Sequence, residues 1–128
     1  MTEQALTGSR VLVVEDEYYL ADEARSILAR AGAEIIGPVP TLTQAQAALD
    51  ANSVIDVALL DVSLRGDMVY ALADALEERG VPFAFATGYD VDVLPDRFSD
   101  RTVLEKPVRP EQLIQTITNL MPARDAMG

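Results

Sequence analysis

Val57-Ala58-Leu59-Leu60-Asp61 carries four consecutive apolar residues straight into a carboxylate. A run of that length without alternation reads as a strand buried on both faces, the kind found in parallel sheets sandwiched between helices. Asp61 then stands where the strand should surface. Three further runs end on polar chemistry in the same manner. Val11-Leu12-Val13-Val14 leads into Glu15 and Asp16, Phe83-Ala84-Phe85-Ala86 into Thr87 and Gly88, and Val103-Leu104 comes just before Lys106 and Pro107. If these strands lie parallel, all of these groups converge on the edge formed by the carboxyl ends, where open α/β sheets place their ligands.

Amphipathic stretches separate the runs. Asp16 is the expected N-cap of a first helix, with Glu17 in its first turn, a core stripe of Leu20, Ala24, Ile27, Leu28 and Ala31, and Gly32 as a left-handed stop. A strand over Glu34–Val39 precedes Thr41-Leu42-Thr43-Gln44, whose capping-box spacing opens a helix that buries Ala45, Ala48 and Leu49. A third helix presents Val69, Leu72, Ala73 and Leu76 on one face and stops at Gly80, ahead of Pro82. After Phe83 to Ala86 the pattern weakens, because Asp90, Asp92, Pro95 and Asp96 interrupt any helix, so this connection is expected to be short or mobile. Pro110 suits a first helical position and is followed by Leu113, Ile114, Ile117, Leu120 and Met121. Five strands alternating with five helices predict a flavodoxin-like (βα)5 architecture, a doubly wound parallel five-stranded sheet of order 2-1-3-4-5. Residues 10–122 form the domain, residues 1–9 a flexible lead-in and residues 123–128 a tail.

Composition narrows the chemistry. At 128 residues the chain is one domain's worth. Its 21 acidic and 10 basic residues give a net charge of -11, which opposes phosphate backbones and anionic membrane surfaces, so neither nucleic acid nor membrane is an expected partner. With no cysteine and no histidine there is no disulfide framework, thiolate nucleophile, Ser-His-Asp triad, His-ligated metal or phosphohistidine carrier. The longest apolar runs fall far short of a membrane span, and Met1 to Arg10 lacks the apolar core of a signal peptide. A soluble cytoplasmic protein is the expectation.

Glu15, Asp16 and Asp61 gathered at one edge repel one another by roughly 3 kcal/mol per pair at ~5 Å and an effective dielectric of about 20. A divalent cation offsets that repulsion, and an all-oxygen, partly hydrated donor set suits Mg²⁺. Thr87 and Lys106 supply a hydroxyl donor and a fixed ammonium, the groups that a phosphoryl adduct on a carboxylate needs, while Gly88 leaves room for its oxygens. Each residue alone has a plainer reading: Asp16 as a cap, Glu15 as a solvated strand end, Asp61 and Thr87-Gly88 as turn formers, Lys106 as a solvated lysine. Their joint occurrence at the ends of four strands favours a site.

In this arrangement the chain resembles a response regulator receiver domain (CheY-like) over roughly Arg10 to Met121. The resemblance implies that Glu15 and Asp16 bind Mg²⁺ together with Asp61 and the backbone carbonyl of Ser63, and that Asp61 accepts a phosphoryl group. It further implies that Thr87 and Lys106 bind that group and that the Lys106–Pro107 peptide is cis. The run Pro82-Phe83-Ala84-Phe85-Ala86-Thr87-Gly88-Tyr89 resembles the single-domain FAT GUY subfamily, found largely in alphaproteobacteria and linked there to HWE-type and related histidine kinases and to stress or light signalling. Receivers carry Tyr or Phe as a switch three residues before the lysine; here Val103 stands there, which makes Tyr89 and the segment Asp90 to Asp100 the switch candidates. Tyr18 and Tyr19, opening the first helix, are candidate contacts for a kinase helix pair, with a core role for one of them an equal alternative.

The expected function is a stand-alone phosphorylation switch, not a turnover enzyme. It takes a phosphoryl group from a histidine kinase or phosphotransfer protein and signals by protein contact, or as a phosphorelay intermediate or phosphate sink, as a monomer or weak dimer. With the chain ending soon after its last helix, no attached output domain is expected. The rival readings are a phosphorylation-independent binding module, a haloacid dehalogenase-like phosphatase and a flavodoxin-like cofactor binder. The phosphatase would place Asp-x-Asp after its first strand, whereas here the acceptor follows the third and the matching position is Ser63. The cofactor binder needs a hydroxyl- or glycine-rich phosphate loop where this chain has Glu15-Asp16-Glu17.

Overall fold

In the computed structural model, which describes residues 5–64, 67–88 and 94–121, the chain runs β1 (Arg10–Val14), α1 (Tyr18–Arg30), β2 (Glu34–Val39), α2 (Leu42–Ala51), β3 (Val57–Asp61), β4 (Ser63–Leu64), β5 (Asp67–Met68), α3 (Tyr70–Glu78), β6 (Phe83–Thr87), β7 (Val103–Glu105) and α4 (Pro110–Leu120). Five strands pair in parallel in the order β2-β1-β3-β6-β7, which is the predicted 2-1-3-4-5 when the short antiparallel β4–β5 hairpin is set aside. The sheet divides its side chains with a period of two. Val11, Val13, Val57, Leu59, Ala84, Ala86 and Leu104 pack with Ile27 and Leu28 of α1 and with Leu113 and Ile117 of α4. Leu12, Val14, Ala58, Leu60, Phe83 and Phe85 pack with Ala45 and Leu49 of α2 and with Leu72, Ala73 and Leu76 of α3. Two apolar layers therefore close on one sheet, and β3 is buried along its whole length. Each fully buried Leu or Phe contributes roughly 2–3 kcal/mol of transfer free energy.

Local signals act where the sequence places them. The Thr41 hydroxyl accepts the Gln44 amide at 3.1 Å and caps α2, while Gly32 and Gly80 adopt φ of 103° and 73° after α1 and α3. Several expectations need correcting. Asp16 is not the cap of α1: Glu17 holds that position, without a side-chain cap bond, and the helix begins at Tyr18. Of the five expected helices, four α-helices form among the described residues. Where the pattern weakens there is a single 3-10 turn over Asp96–Phe98, consistent with Pro95 and the aspartates around it. Part of the expected loose lead-in is tied down, since Leu6 is fully buried and its amide donates to the Ala31 carbonyl at 2.8 Å. No helix among the described residues is long and apolar enough to cross a membrane.

β2 contains an irregularity that matters for the site. Its register against β1 shifts between Leu12 and Val14, so that Val14 pairs with Val39, and the Val39 carbonyl then accepts the Glu15 amide at 3.0 Å. Gly37 makes the shift possible with φ of 100°, and a Cβ there would lie 2.8 Å from the Val39 nitrogen and 2.9 Å from the Val13 oxygen. Gly80 has a comparable left-handed φ but open space around it. Gly37→Ala is therefore expected to cost about 2–3 kcal/mol and Gly80→Ala about 1 kcal/mol, by urea denaturation. Equal losses would show that the close approach at Gly37 is unimportant.

Candidate functional site

Strand register brings the polar residues together. Val14 pairs with Leu60, so Glu15 and Asp61 leave neighbouring strands at one height. Asp61 pairs with Ala86, which puts Thr87 one step further along β6, and Thr87 pairs with Glu105, which puts Lys106 one step beyond β7. Backbone bonds fix these ends: the Lys106 amide donates to the Thr87 carbonyl at 3.0 Å and the Val62 amide to the Ala86 carbonyl at 3.2 Å. Glu15, Asp61 and Thr87 are all buried, although they are polar.

The side chains meet at Lys106. Its Nζ donates to Glu15 Oε1 at 2.9 Å and lies 3.2 Å from Asp61 Oδ2. The other Glu15 oxygen accepts the Glu17 amide at 3.0 Å, so Glu15 links strand end to helix start. The Asp16 carboxylate, rather than capping α1, joins those of Glu15 and Asp61, with one oxygen from each of the three within 4.8 Å of the others. The direct Lys106–Glu15 bond and the role of the Glu17 amide were not legible in the sequence, because both depend on how buried side chains turn within the pocket.

Charge in the pocket is unbalanced. Burial, then repulsion from Glu15, push the Asp61 carboxyl up to about 7, and the Lys106 ammonium offsets only part of this. For Lys106, burial disfavours the charged form, but the hydrogen bond and charge of Glu15 and the charge of Asp61 outweigh it and hold the ammonium above its usual range. Lys106 meets two of the three carboxylates, and a divalent cation would complement this all-oxygen donor set. Mg²⁺ takes carboxylate and carbonyl oxygens and keeps several waters, and one oxygen from each of Glu15, Asp16 and Asp61 lies within 4.8 Å of the other two. The residues present therefore fit Mg²⁺.

Other expected site residues are placed as follows. Gly88 is exposed with open space at its Cα, Ser63 opens β4 two residues beyond Asp61, and the Lys106–Pro107 peptide is cis. Tyr18 and Tyr19 are 74% and 77% exposed and contact each other edge to face at 5.4 Å, which removes the core role considered for one of them. Tyr89 lies outside the described residues.

No protein-family model matches the chain. It is 38% identical to SdrG from Sphingomonas melonis Fr1, whose solution structure superposes with a TM-score of 0.78 over 91% of this chain and 97% of that one. SdrG has also been solved in a BeF3-activated conformation, with a TM-score of 0.74 and 34% identity over 94% of this chain and 100% of that one. Sensory transduction protein LytT of Bacillus anthracis is 34% identical over 112 residues, 84% of this chain, which spans only 45% of that protein's length. A CheY-like response regulator receiver domain protein from Methanospirillum hungatei JF-1, 24% identical over 94% of this chain and 98% of that one, shares the fold with a TM-score of 0.76.

The raised Asp61 carboxyl has a sign that can be measured. Its folded value of about 7 lies above the ordinary 3.8, so between those values the native state binds more protons than the unfolded chain, and stability falls as pH rises from about 4 to 7. Asp61→Asn removes this penalty. In cation-free buffer the variant is expected to exceed the parent in stability at pH 8 by on the order of 2 kcal/mol, discounted from the full conversion because Lys106 and solvent relax around the charge, with almost no gain at pH 4. A gain independent of pH would contradict the strained carboxylate.

Proposed function

This chain belongs to the CheY-like response regulator receiver family, and on that premise we propose that it is a Mg²⁺-dependent phosphorylation switch whose acceptor is Asp61. Receiver domains of this family are regulatory switches in two-component signalling. The observation that carries the reading is the contact of a partly buried ammonium with Glu15 and Asp61, with the Asp16 carboxylate alongside. In the proposed step an Asp61 oxygen attacks the phosphorus of a phosphohistidine on the donor. The P–N bond breaks, its electron pair stays on the imidazole, and an acyl phosphate forms. Lys106 follows the negative charge onto the phosphoryl oxygens, the Thr87 hydroxyl donates to one of them, and the exposed backbone at Gly88 leaves space for another. Glu15, Asp16, Asp61 and the Ser63 carbonyl would hold Mg²⁺, which when bound neutralises excess negative charge at the transferring group. Water attack on phosphorus later breaks the P–O bond, releases inorganic phosphate and restores the carboxylate.

The donor in this reading is a histidine kinase or phosphotransfer protein, of HWE type if the FAT GUY resemblance of the run ending at Tyr89 holds. Tyr18 and Tyr19, exposed at the start of α1 beside the pocket, are the proposed contacts for it. Tyr89 is the proposed switch residue, since Val103 cannot rotate as an aromatic ring would. Residues 10–122 act as the receiver, in the cytoplasm, as a monomer or weak dimer that signals through protein contacts or a phosphorelay. The charge of -11 argues against nucleic acid and anionic membranes as targets.

Incubation with acetyl phosphate and Mg²⁺ is expected to add one phosphoryl mass by intact mass spectrometry. Asp61→Asn abolishes the adduct, Lys106→Met reduces it at least tenfold, and chelation of the cation prevents it. No adduct from either acetyl phosphate or a kinase would favour a binding module that works without phosphorylation. Mg²⁺ at a hundredfold excess over its dissociation constant is expected to stabilise the parent by about 2.7 kcal/mol, and Asp16→Asn to remove most of that gain at the same concentration. Equal stabilisation of both proteins would place the ion elsewhere.

A further inference from the structure

The sheet face toward α2 and α3 is closed near β6 and β7 by a strap, residues 94–101, whose 3-10 turn inserts one ring. Phe98 is fully buried. It stacks on Tyr70 at 5.7 Å and 29°, and meets Phe85 and Phe83 edge-on at 5.4 and 6.2 Å. Arginines flank it on both sides. Arg97 forks onto Asp74 of α3 at 3.1 and 3.0 Å and lies 4.7 Å from the Phe98 ring centre. Arg101 pairs with Glu77 of α3 and lies over Phe83 at 5.0 Å. The backbone bonds donated within the strap, from Phe98 to Pro95, Ser99 to Asp96 and Arg101 to Phe98, all close on the strap itself.

These contacts seat one ring of a short strap in the apolar layer that faces α2 and α3. Among the described residues the strap is held by one ring, by the partly buried Leu94 and by two ion pairs whose side chains are 37% to 54% exposed, and such pairs are individually weak. Its own backbone bonds can persist when it lifts, which is the physical content of a low-stability local unit. Lifting it uncovers a floor of Tyr70, Phe83 and Phe85 with Asp74 and Glu77 at the rim. Aromatic pockets with charged rims are where interfaces concentrate binding energy, and an acidic rim selects basic neighbours for the anchor.

We propose that the pocket roofed by Phe98 is a docking site for a partner segment bearing an aromatic side chain flanked by arginines, and that the strap is its internal occupant. The strap itself, Leu94-Pro95-Asp96-Arg97-Phe98-Ser99-Asp100-Arg101, is the template for that partner. A partner enters by replacing the plug, so its apparent affinity is set by how easily the strap lifts. Phe85 lies two residues before Thr87 on β6, which places the pocket next to the phosphorylation site without requiring that Asp61 be modified.

The test uses the full chain with Phe98→Ala and a capped synthetic peptide of residues 94–101, followed by heteronuclear NMR. The peptide is expected to shift signals of α3 and β6 around Tyr70 and Phe85 in the variant, with saturation on the order of 1 mM, and to bind the parent at least tenfold more weakly because the plug competes. Peptides with alanine for the phenylalanine, or glutamate for both arginines, should not bind. A folded variant showing no peptide-dependent shifts at the pocket overturns the proposal. Should Phe98→Ala not fold, hydrogen exchange on the parent decides: the amides of Phe98, Ser99 and Arg101 should exchange at least tenfold faster than those of β3, and faster again in Asp74→Asn. Exchange of these amides only through global unfolding overturns the proposal equally.

Discussion

A single, partly buried ammonium organises the carboxyl edge of this sheet. Lys106 Nζ reaches Glu15 and Asp61 together, and without it three carboxylates would face one another in a pocket largely shielded from water. Even with it, burial and then repulsion from Glu15 push the Asp61 carboxyl up to about 7. On the proposed reading, the carboxylates that outnumber this ammonium are what would receive a dication. A pocket already neutral would have little reason to hold a dication, and the oxygens of an incoming phosphoryl group would find no fixed ammonium waiting in one with no lysine.

The ammonium can do this because the fold delivers it. Parallel pairing puts the carboxyl ends of β1, β3, β6 and β7 on one side, and the register advances along them so that Glu15, Asp61, Thr87 and Lys106 arrive within a few residues of one another. That register is held by the two apolar layers, since a slip of one residue would exchange the side chains facing α1 and α4 with those facing α2 and α3. The irregularity at Gly37 belongs to the same arrangement. By carrying Val39 into line with Val14 it supplies the carbonyl that anchors the Glu15 amide, so a glycine in the edge strand helps to seat a carboxylate in the pocket.

Much of this was legible in the sequence, and for a definite reason. Strands buried on both faces advertise themselves as unbroken apolar runs, and the residue where the run stops marks the site: Asp61 after Leu60 and Glu15 after Val14 are visible without coordinates. Helix ends coded by one residue, such as Thr41 at the start of α2, were equally clear. What escaped were features set by competition in space. Asp16 has the chemistry of an N-cap, yet the helix begins one residue later, after Glu17, and the Asp16 carboxylate lies with those of Glu15 and Asp61. The paired β4 and β5 strands, two residues each, are too short to impose a period. Phe98 sits in a stretch broken by Pro95 and flanked by charges, so nothing local marks it as core; only the rings of Tyr70, Phe83 and Phe85, from elsewhere in the chain, make it so.

The most direct measurement of the central claim is the chemical position of the phosphoryl group. Protein treated with acetyl phosphate and Mg²⁺, reduced with borohydride and digested, should yield homoserine at position 61, because borohydride reduces an acyl phosphate but not a phosphate ester. An acid-stable phosphate ester on Ser63 or Thr87, with Asp61 unmodified, would contradict the account: the gathered carboxylates would then be serving some chemistry other than phosphoryl acceptance.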